Sequence, residues 1–149
     1  MDELEIKCAL EKYHLFGGVY ARDELPEILT GPIGVVVNTE PRSKSGAHWI
    51  AIYLDKTDRG ELFDSLASNE VLKDFKQWMD RNCCEYLFPC FPLQSSLSKL
   101  CGVYVITSLA MRFSNHSFNS VIKSFAHNPI ENDLLLVDIL KNIKEEPST

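Results

Sequence analysis

Residues 94–110 read QSSLSKLCGVYVITSLA, and the change of character within this stretch decides the fold. A polar, serine-rich segment passes at Cys101 into a nearly continuous apolar run. The pattern predicts a helix from about Cys101 to Phe113 with Ser98 as its N-cap, because serine favours that position. A helix that is apolar on nearly all sides is typical of the middle of a domain. Cys101 would then lie in the first turn, where unpaired backbone amides and the helix dipole favour a thiolate.

Helical and strand-like patterns lie on both sides of this stretch. Residues 2–13 have apolar side chains at helical spacing, whereas residues 16–26, with two glycines and a proline, predict a loop. The β-branched run 33–38 predicts a buried strand, and residues 48–55 and 60–66 predict an antiparallel pair. Further helices are predicted at 69–82, 117–126 and 131–144, and a further strand at 85–93. We therefore expect an α+β fold with a central buried helix and a small, largely antiparallel sheet.

The composition of the 149-residue chain is typical of a globular protein. Hydrophobic residues make up 45% and charged residues 24%, which excludes a disordered or fibrous class. The length suits one compact core, so we expect a single domain over residues 1–149. Because the apolar runs are short and the first residues are acidic, we expect neither a membrane anchor nor secretion.

The cysteines and charges limit the function classes further. The chain has five cysteines, an odd number without the spacing of a disulfide framework, which favours a reducing compartment. Those at 83, 84 and 90 lack the C-x-x-C spacing of a metal site, so we expect no metal. The net charge of −6 disfavours DNA binding by the whole surface. Only a local basic patch, from residues 41–46 with Lys73 and Lys76, would attract DNA.

Three residues elsewhere in the chain have the chemistry to form a catalytic site with Cys101. His48 begins a predicted strand and would act as general base. Asp64 ends the next predicted strand, and the hairpin would bring its carboxylate beside the His48 ring. Gln94 lies seven residues before Cys101 and would donate to an oxyanion together with the backbone N–H of Cys101. Taken singly, each of these residues is more often structural, and Cys101 alone is more often a buried thiol.

The order of these residues resembles that of the adenovirus-type cysteine proteases. The resemblance rests on His48-Trp49, on the FDS motif at 63–65 and on a glutamine seven residues before Cys-Gly. The stretches 35–53 and 16–26 also resemble blocks of the adenovirus protease. Such adenain-like enzymes occur in adenoviruses and Polinton/Maverick-type elements, and their clan includes the ubiquitin-like-protein-specific proteases. Adenoviral enzymes usually have glutamate as the orienting acid, so Asp64 is nearer to the ubiquitin-like-protease pattern.

The resemblance implies the role of each site residue. Cys101 would be the nucleophile, His48 the base, Asp64 the orienting acid and Gln94 the oxyanion donor. Cys83 lies eleven residues before Gln94 and matches the position of a cysteine that forms a disulfide with an activating peptide. The adjacent Cys84 leaves that assignment open. The chemistry itself needs no cofactor, although the resemblance also implies DNA as an activator.

The function implied is a thiol endopeptidase that matures viral or mobile-element capsid polyproteins through an acyl-enzyme. Its substrates would be structural precursors, and it would act as a monomer in the host nucleus or cytoplasm and in the virion. A ubiquitin-like-protein-specific protease is the alternative, with the same chemistry and a different substrate. A third alternative is an inactive interaction module whose cysteines are structural.

Overall fold

The computed structural model describes residues 1–44, 48–96 and 98–145, which form helices packed on a five-stranded sheet. The helices are α1 (Glu3–Leu10), α2 (Asn69–Asn82), α3 (Cys101–Phe113), α4 (Phe118–Lys123) and α5 (Pro129–Glu145). The strands are β1 (Phe16–Tyr20), β2 (Ile33–Asn38), β3 (Trp49–Leu54), β4 (Arg59–Phe63) and β5 (Glu85–Leu87). This arrangement confirms the predicted α+β class. Within the described residues, no helix has both the length and the apolar character needed to cross a membrane.

The sheet is mixed, with strand order β1-β2-β3-β4-β5. Its three central strands pair antiparallel, whereas the edge strands β1 and β5 pair parallel to their neighbours. The central strands are buried on both faces, because side chains of alternate residues belong to two different apolar clusters. One cluster includes α3 and much of α1, α4 and α5, and the other includes α2. The sheet therefore lies between two helical layers, with α3 in the larger one.

Strand β1 corrects the prediction of a loop at residues 16–26. Gly17 lies so close to β2 that a Cβ atom there would come within 2.4 Å of the Ile33 side chain. Gly18 has a φ of 118°, which few other residues adopt, and the pairing register shifts between Phe16 and Val19. The two glycines predict a break in regular structure, but here they permit close strand pairing and an irregular strand.

The predicted central helix begins and ends where the structure has α3, but its cap differs. Leu100 occupies the N-cap position without a side-chain hydrogen bond. The hydroxyl oxygen of Ser98 instead accepts a hydrogen bond from the Leu100 N–H at 3.1 Å. Ser98 therefore stabilises the turn that leads into α3, and the prediction that it is the N-cap is wrong.

The predicted strand at 85–93 is shorter in the structure. Strand β5 ends at Leu87, before two prolines that have no N–H to donate to a neighbouring strand. The chain then continues without helix or strand to the start of α3 in the residues that are described. Gln94 lies in this irregular segment, so its position depends on contacts with other elements.

Candidate active site

The sheet and the central helix bring His48, Asp64 and Cys101 together. His48 immediately precedes β3, and Asp64 immediately follows β4. Because β3 and β4 are antiparallel and Ala51 pairs with Phe63, these two ends lie at the same edge of the sheet. Cys101 is the first residue of α3, which packs on β3. The antiparallel pair and the helix therefore bring together three of the four residues expected from the sequence.

Asp64 is a fully buried carboxylate that binds the His48 ring. Its Oδ1 atom lies 2.6 Å from His48 Nε2, and the Asp64 side chain has 0% exposure. The same carboxylate accepts hydrogen bonds from the backbone N–H groups of Leu66 at 3.0 Å and Ser68 at 2.8 Å. These donors stabilise its negative charge where water is excluded. Asp64 thus fixes the orientation of the ring and leaves the Nδ1 atom of His48 for the thiol.

The sulfur of Cys101 is surrounded by donors. It hydrogen-bonds to the His48 ring and accepts from the backbone N–H groups of Trp49 and Gly102. Burial acts to raise the pKa of the Cys101 thiol, but these hydrogen bonds, with that from His48 foremost, outweigh burial and lower this pKa. The helix N-terminus acts in the same direction. The geometry therefore favours a thiolate at Cys101.

The pKa of His48 shifts in the complementary direction. Burial acts to lower it, but the hydrogen bonds with Asp64 and Cys101 raise it to about 9. A histidine with this pKa is protonated at neutral pH. The raised pKa of His48 and the lowered pKa of Cys101 both favour a thiolate–imidazolium pair, which is the reactive state of a cysteine nucleophile.

Gln94 is buried, with 2% exposure, and both ends of its amide are occupied. Its Oε1 atom accepts a hydrogen bond from the hydroxyl of Ser65, and its Nε2 atom donates to the carbonyl of Ser98 at 2.9 Å. The Gln94 backbone N–H also donates to the Ser65 carbonyl at 2.9 Å. Ser65 directly follows Asp64, so one short segment binds both His48 and Gln94. No role for Ser65 follows from the sequence alone, although its place in the FDS motif is a usable signal.

The first residue of the chain lies beside the proposed nucleophile. The indole N–H of Trp49 donates to the Met1 carbonyl at 3.1 Å. A Cβ atom at Gly102 would come within 2.9 Å of Met1 Cβ, so the Met1 side chain covers this glycine. A cavity of about 300 Å³ extends from Trp49 and Met1 past Arg42. No pattern in the sequence predicts this contact.

Cys83 and Cys84 differ in accessibility. Cys83 follows the last residue of α2, and its sulfur packs over Gly60 of β4. Burial raises the pKa of the Cys83 thiol to about 11. Cys84 is exposed, with its sulfur 3.8 Å from the carbonyl oxygen of Thr57. The disulfide between Cys83 and an activating peptide remains a prediction, and Cys84 is the more accessible thiol of the two.

Arg42, Lys44 and Lys76 of the expected basic patch have acidic neighbours. Arg42 forms ion pairs with Glu3 at 2.9 Å and with Glu24 at 2.6 Å. Lys44 lies 4.0 Å from Glu40, and Lys76 lies 2.6 Å from Asp80. Residues 45 and 46 of the patch lie outside the described residues. DNA binding therefore remains a prediction from the resemblance.

The described residues contain no cluster of three histidine, cysteine or acidic side chains arranged to hold a metal ion. The contacts of Cys101 and His48 involve a thiol, an imidazole and a carboxylate, and the Gln94 amide binds Ser65 and Ser98. Such groups can carry out nucleophilic attack, proton transfer and stabilisation of an oxyanion.

Comparison with known proteins relates this structure to solved folds. No protein-family model and no curated protein matches the sequence. The structure is similar to the central domain of the uncharacterized Lpg1148 protein from Legionella pneumophila, with a TM-score of 0.58 and 16% identity. That alignment covers 97% of this chain and 96% of the Legionella chain.

Two structures from Chlamydia trachomatis are also similar. The chain shares its fold with ChlaDUB1. One ChlaDub1 structure aligns with a TM-score of 0.54 and 13% identity, over 77% of this chain and 63% of that chain. A second structure, of the effector protein ChlaDUB1, aligns with a TM-score of 0.53 and 13% identity, over 78% of this chain and 58% of that chain. The present chain thus spans about three fifths of ChlaDUB1, and the likeness is one of fold.

Proposed function

We propose that this protein is a cysteine peptidase that cleaves the C-terminal tail of a ubiquitin-like protein. The observation that carries the proposal is the hydrogen-bonded series Asp64–His48–Cys101, with the thiol at the N-terminus of a buried helix. Similarity of fold to ChlaDUB1, whose name denotes a deubiquitinase, supports this substrate class over a capsid precursor. Asp64 agrees with it, because an aspartate at this position resembles the ubiquitin-like-protease pattern.

The proposed reaction begins with the thiolate–imidazolium pair. The Cys101 sulfur attacks the scissile carbonyl carbon and forms a C–S bond, and the electron pair of the C=O bond moves to the oxygen. When the tetrahedral intermediate collapses, the C–N bond breaks and His48 gives its Nδ1 proton to the leaving amine. His48, now neutral, takes a proton from water as the water attacks the thioester. The C–S bond then breaks with its electron pair going to sulfur, the acid product leaves, and the thiolate–imidazolium pair is restored.

Gln94 has a separate proposed role in this reaction. One of its two amide hydrogens is used on the Ser98 carbonyl, and we assign the other to the oxyanion. The backbone N–H of Cys101 would be the second donor. A neutral donor suits this position, since it stabilises the oxyanion without lowering the basicity of His48.

The residues beside Cys101 support a glycine-rich substrate. Gly102 and Trp49 flank the thiol, and Met1 already packs against both residues. A chain with small side chains next to the scissile bond would fit more easily there than one with bulky side chains. The tails of ubiquitin-like proteins end in two glycines and meet this requirement.

A second candidate is an endopeptidase that matures capsid polyproteins. The sequence stretch 35–53 favours it, because its Asn-Thr pair, its glycine-containing loop and its His-Trp resemble the adenovirus-type enzymes. The catalytic steps would be the same, and the substrate would be an internal Gly-x-Gly-like site. A protein with this function would be located in an infected cell and in the virion.

One experiment tests the chemistry and separates the two substrates. The protein is incubated with ubiquitin that carries a C-terminal electrophile and, in parallel, with peptides that contain a Gly-x-Gly motif. We expect a ubiquitin adduct on Cys101, located by mass spectrometry, and none in Cys101→Ala. Cys84→Ser is the matched control, because it removes an exposed thiol outside the site and should leave the adduct unchanged. Peptide cleavage without a ubiquitin adduct would favour the capsid protease, and absence of both reactions would reject a peptidase.

A further inference from the structure

The C-terminal helix α5 contacts the irregular segment that carries Gln94. Asn132, near the start of α5, is buried with 2% exposure. Its Nδ2 atom donates to the carbonyl of Leu93 at 3.0 Å and to that of Ala126 at 2.8 Å, and its Oδ1 atom accepts from the Ala126 N–H at 2.8 Å. Asn132 thus ties the residue before Gln94 to the turn that precedes α5.

Asp133 binds the residue on the other side of Gln94. Its Oδ2 atom accepts a hydrogen bond from the backbone N–H of Ser95 at 3.3 Å. Its Oδ1 atom accepts from the hydroxyl of Tyr104 at 2.7 Å, and that hydroxyl also lies 3.0 Å from the Leu93 carbonyl. Burial, and then the Asp133 carboxylate, raise the pKa of Tyr104 far above its usual range, so its hydroxyl remains a donor.

Tyr104 relates this arrangement to the nucleophile. It lies on α3 one helical turn after Cys101, and its side chain is buried with 2% exposure. The hydroxyl of Tyr104 therefore links the backbone around Gln94 to α3, the helix that positions the thiol. Leu93 and Ser95 are each held, so the backbone on both sides of Gln94 is fixed while its side chain binds Ser65 and Ser98.

We infer that Asn132, Asp133 and Tyr104 are positioning residues for the oxyanion donor; this inference rests on the proposed function. An irregular segment has no continuous ladder of backbone hydrogen bonds, and here the backbone N–H groups of Leu93 and Gln94 bind the Ser65 carbonyl. Side chains supply further restraint on both sides of Gln94. Displacement of a catalytic group by about 1 Å can cost on the order of 10²-fold in rate. Helix α5 therefore acts on catalysis through Gln94 without contacting the substrate.

The test compares Asp133→Ala with a control on the same helix. Asp138→Ala removes an aspartate from the exposed side of α5 and should change none of the readouts. For Asp133→Ala we expect kcat on a ubiquitin-tail substrate to fall about tenfold with little change in KM, less than full loss of the donor would cost. Alkylation of Cys101 should change less than about twofold, because the thiolate–imidazolium pair is untouched. Backbone amide exchange at Gln94 and Ser95 should become faster.

Two further variants address folding and mechanism. Asp133→Asn retains one acceptor oxygen and should restore part of the rate. Adding Asp133→Ala to Gln94→Ala should give no further loss, because the two residues act through one donor. Unchanged exchange at Gln94 and Ser95, or equal loss of alkylation and hydrolysis, would overturn the inference. A wild-type protein that cleaves no substrate would reject the proposed function, whereas amide exchange would still decide whether Asp133 holds this segment.

Discussion

Strand β4 and the residue that follows it form two buried charged contacts, one near each end of α3, and the two differ in what they can do. Near the C-terminal end of α3, Arg112 binds Glu61 through two hydrogen bonds of 2.7 Å and 3.0 Å. At the N-terminal end, Asp64 binds His48 beside Cys101. The Arg112–Glu61 contact fastens the central helix to the sheet, whereas the Asp64–His48 contact joins two strand ends and reaches the helix through Cys101. The difference is chemical, because arginine stays charged whereas histidine can give and take a proton.

The Arg112–Glu61 contact has the surroundings of a structural ion pair. Arg112 also donates to the His116 carbonyl at 2.7 Å and lies over the Tyr53 ring at 4.2 Å, so several partners hold it. Burial raises the pKa of Glu61 more than Arg112 lowers it, which is the expected behaviour of a desolvated carboxylate. No thiol or other nucleophile is described among the contacts of this pair. The comparison teaches that a buried ion pair signals catalysis only when one partner titrates and a reactive group lies beside it.

The largest effect is expected from Asp64→Asn. An amide can orient the His48 ring but cannot stabilise the imidazolium, so acylation should slow on the order of 10³-fold. The asparagine side chain also cannot accept from both Leu66 and Ser68 as the carboxylate does, so the free energy of unfolding should fall by about 1–3 kcal/mol. Single-turnover kinetics and thermal unfolding measure the two effects. Wild-type acylation in a folded variant would remove Asp64 from the proposed mechanism.

A smaller effect is expected from Gln94→Ala. Loss of one oxyanion donor should cost on the order of 10²-fold in kcat. Alkylation of Cys101 should stay near the wild-type rate, because Gln94 does not contact the charge pair in any described hydrogen bond. The two rates are measured in parallel on the same preparation. A matching fall in both rates would argue that Gln94 supports the thiolate and not the oxyanion.

The smallest effect on activity is expected from Glu61→Gln. This variant leaves Arg112 without its buried counter-ion, which should lower the free energy of unfolding by about 3 kcal/mol. Hydrolysis at a temperature where the variant is folded should stay within about twofold of wild type, since the pair lies away from the thiol. Denaturant unfolding and steady-state kinetics provide the measurements. A loss of rate comparable with that of Asp64→Asn would show that the two pairs are not functionally distinct.

The sequence predicts those parts of the site that lie at the ends of regular elements. The hairpin of β3 and β4 is local, and its pattern places His48 and Asp64 at one edge. The apolar run after Cys101 likewise predicts α3, with the thiol in its first turn. Each of these inferences needs only the period of a strand or a helix.

Other parts of the site depend on contacts between residues far apart in the chain. Ser65 and Gln94 are separated by 29 residues, and Asn132 bonds to Leu93 across 39 residues. No periodicity connects such pairs, so the sequence indicates Gln94 but not the residues that hold it. Strand β1 was missed for a related reason, since its glycines are explained only by the close approach of β2.

The central claim is that Cys101 and His48 form a thiolate–imidazolium pair, and the pH dependence of Cys101 alkylation tests it most directly. Because the pKa of Cys101 is lowered, its alkylation should reach half of its maximal rate below the ordinary thiol pKa of about 8.5. Because His48 keeps its proton up to a pKa of about 9, hydrolysis should fall above that pH while alkylation persists. The rate is followed with iodoacetamide, and Cys101→Ala supplies the background from the other thiols. A midpoint at or above the ordinary thiol pKa in the wild-type protein would contradict the charge pair and the mechanism built on it.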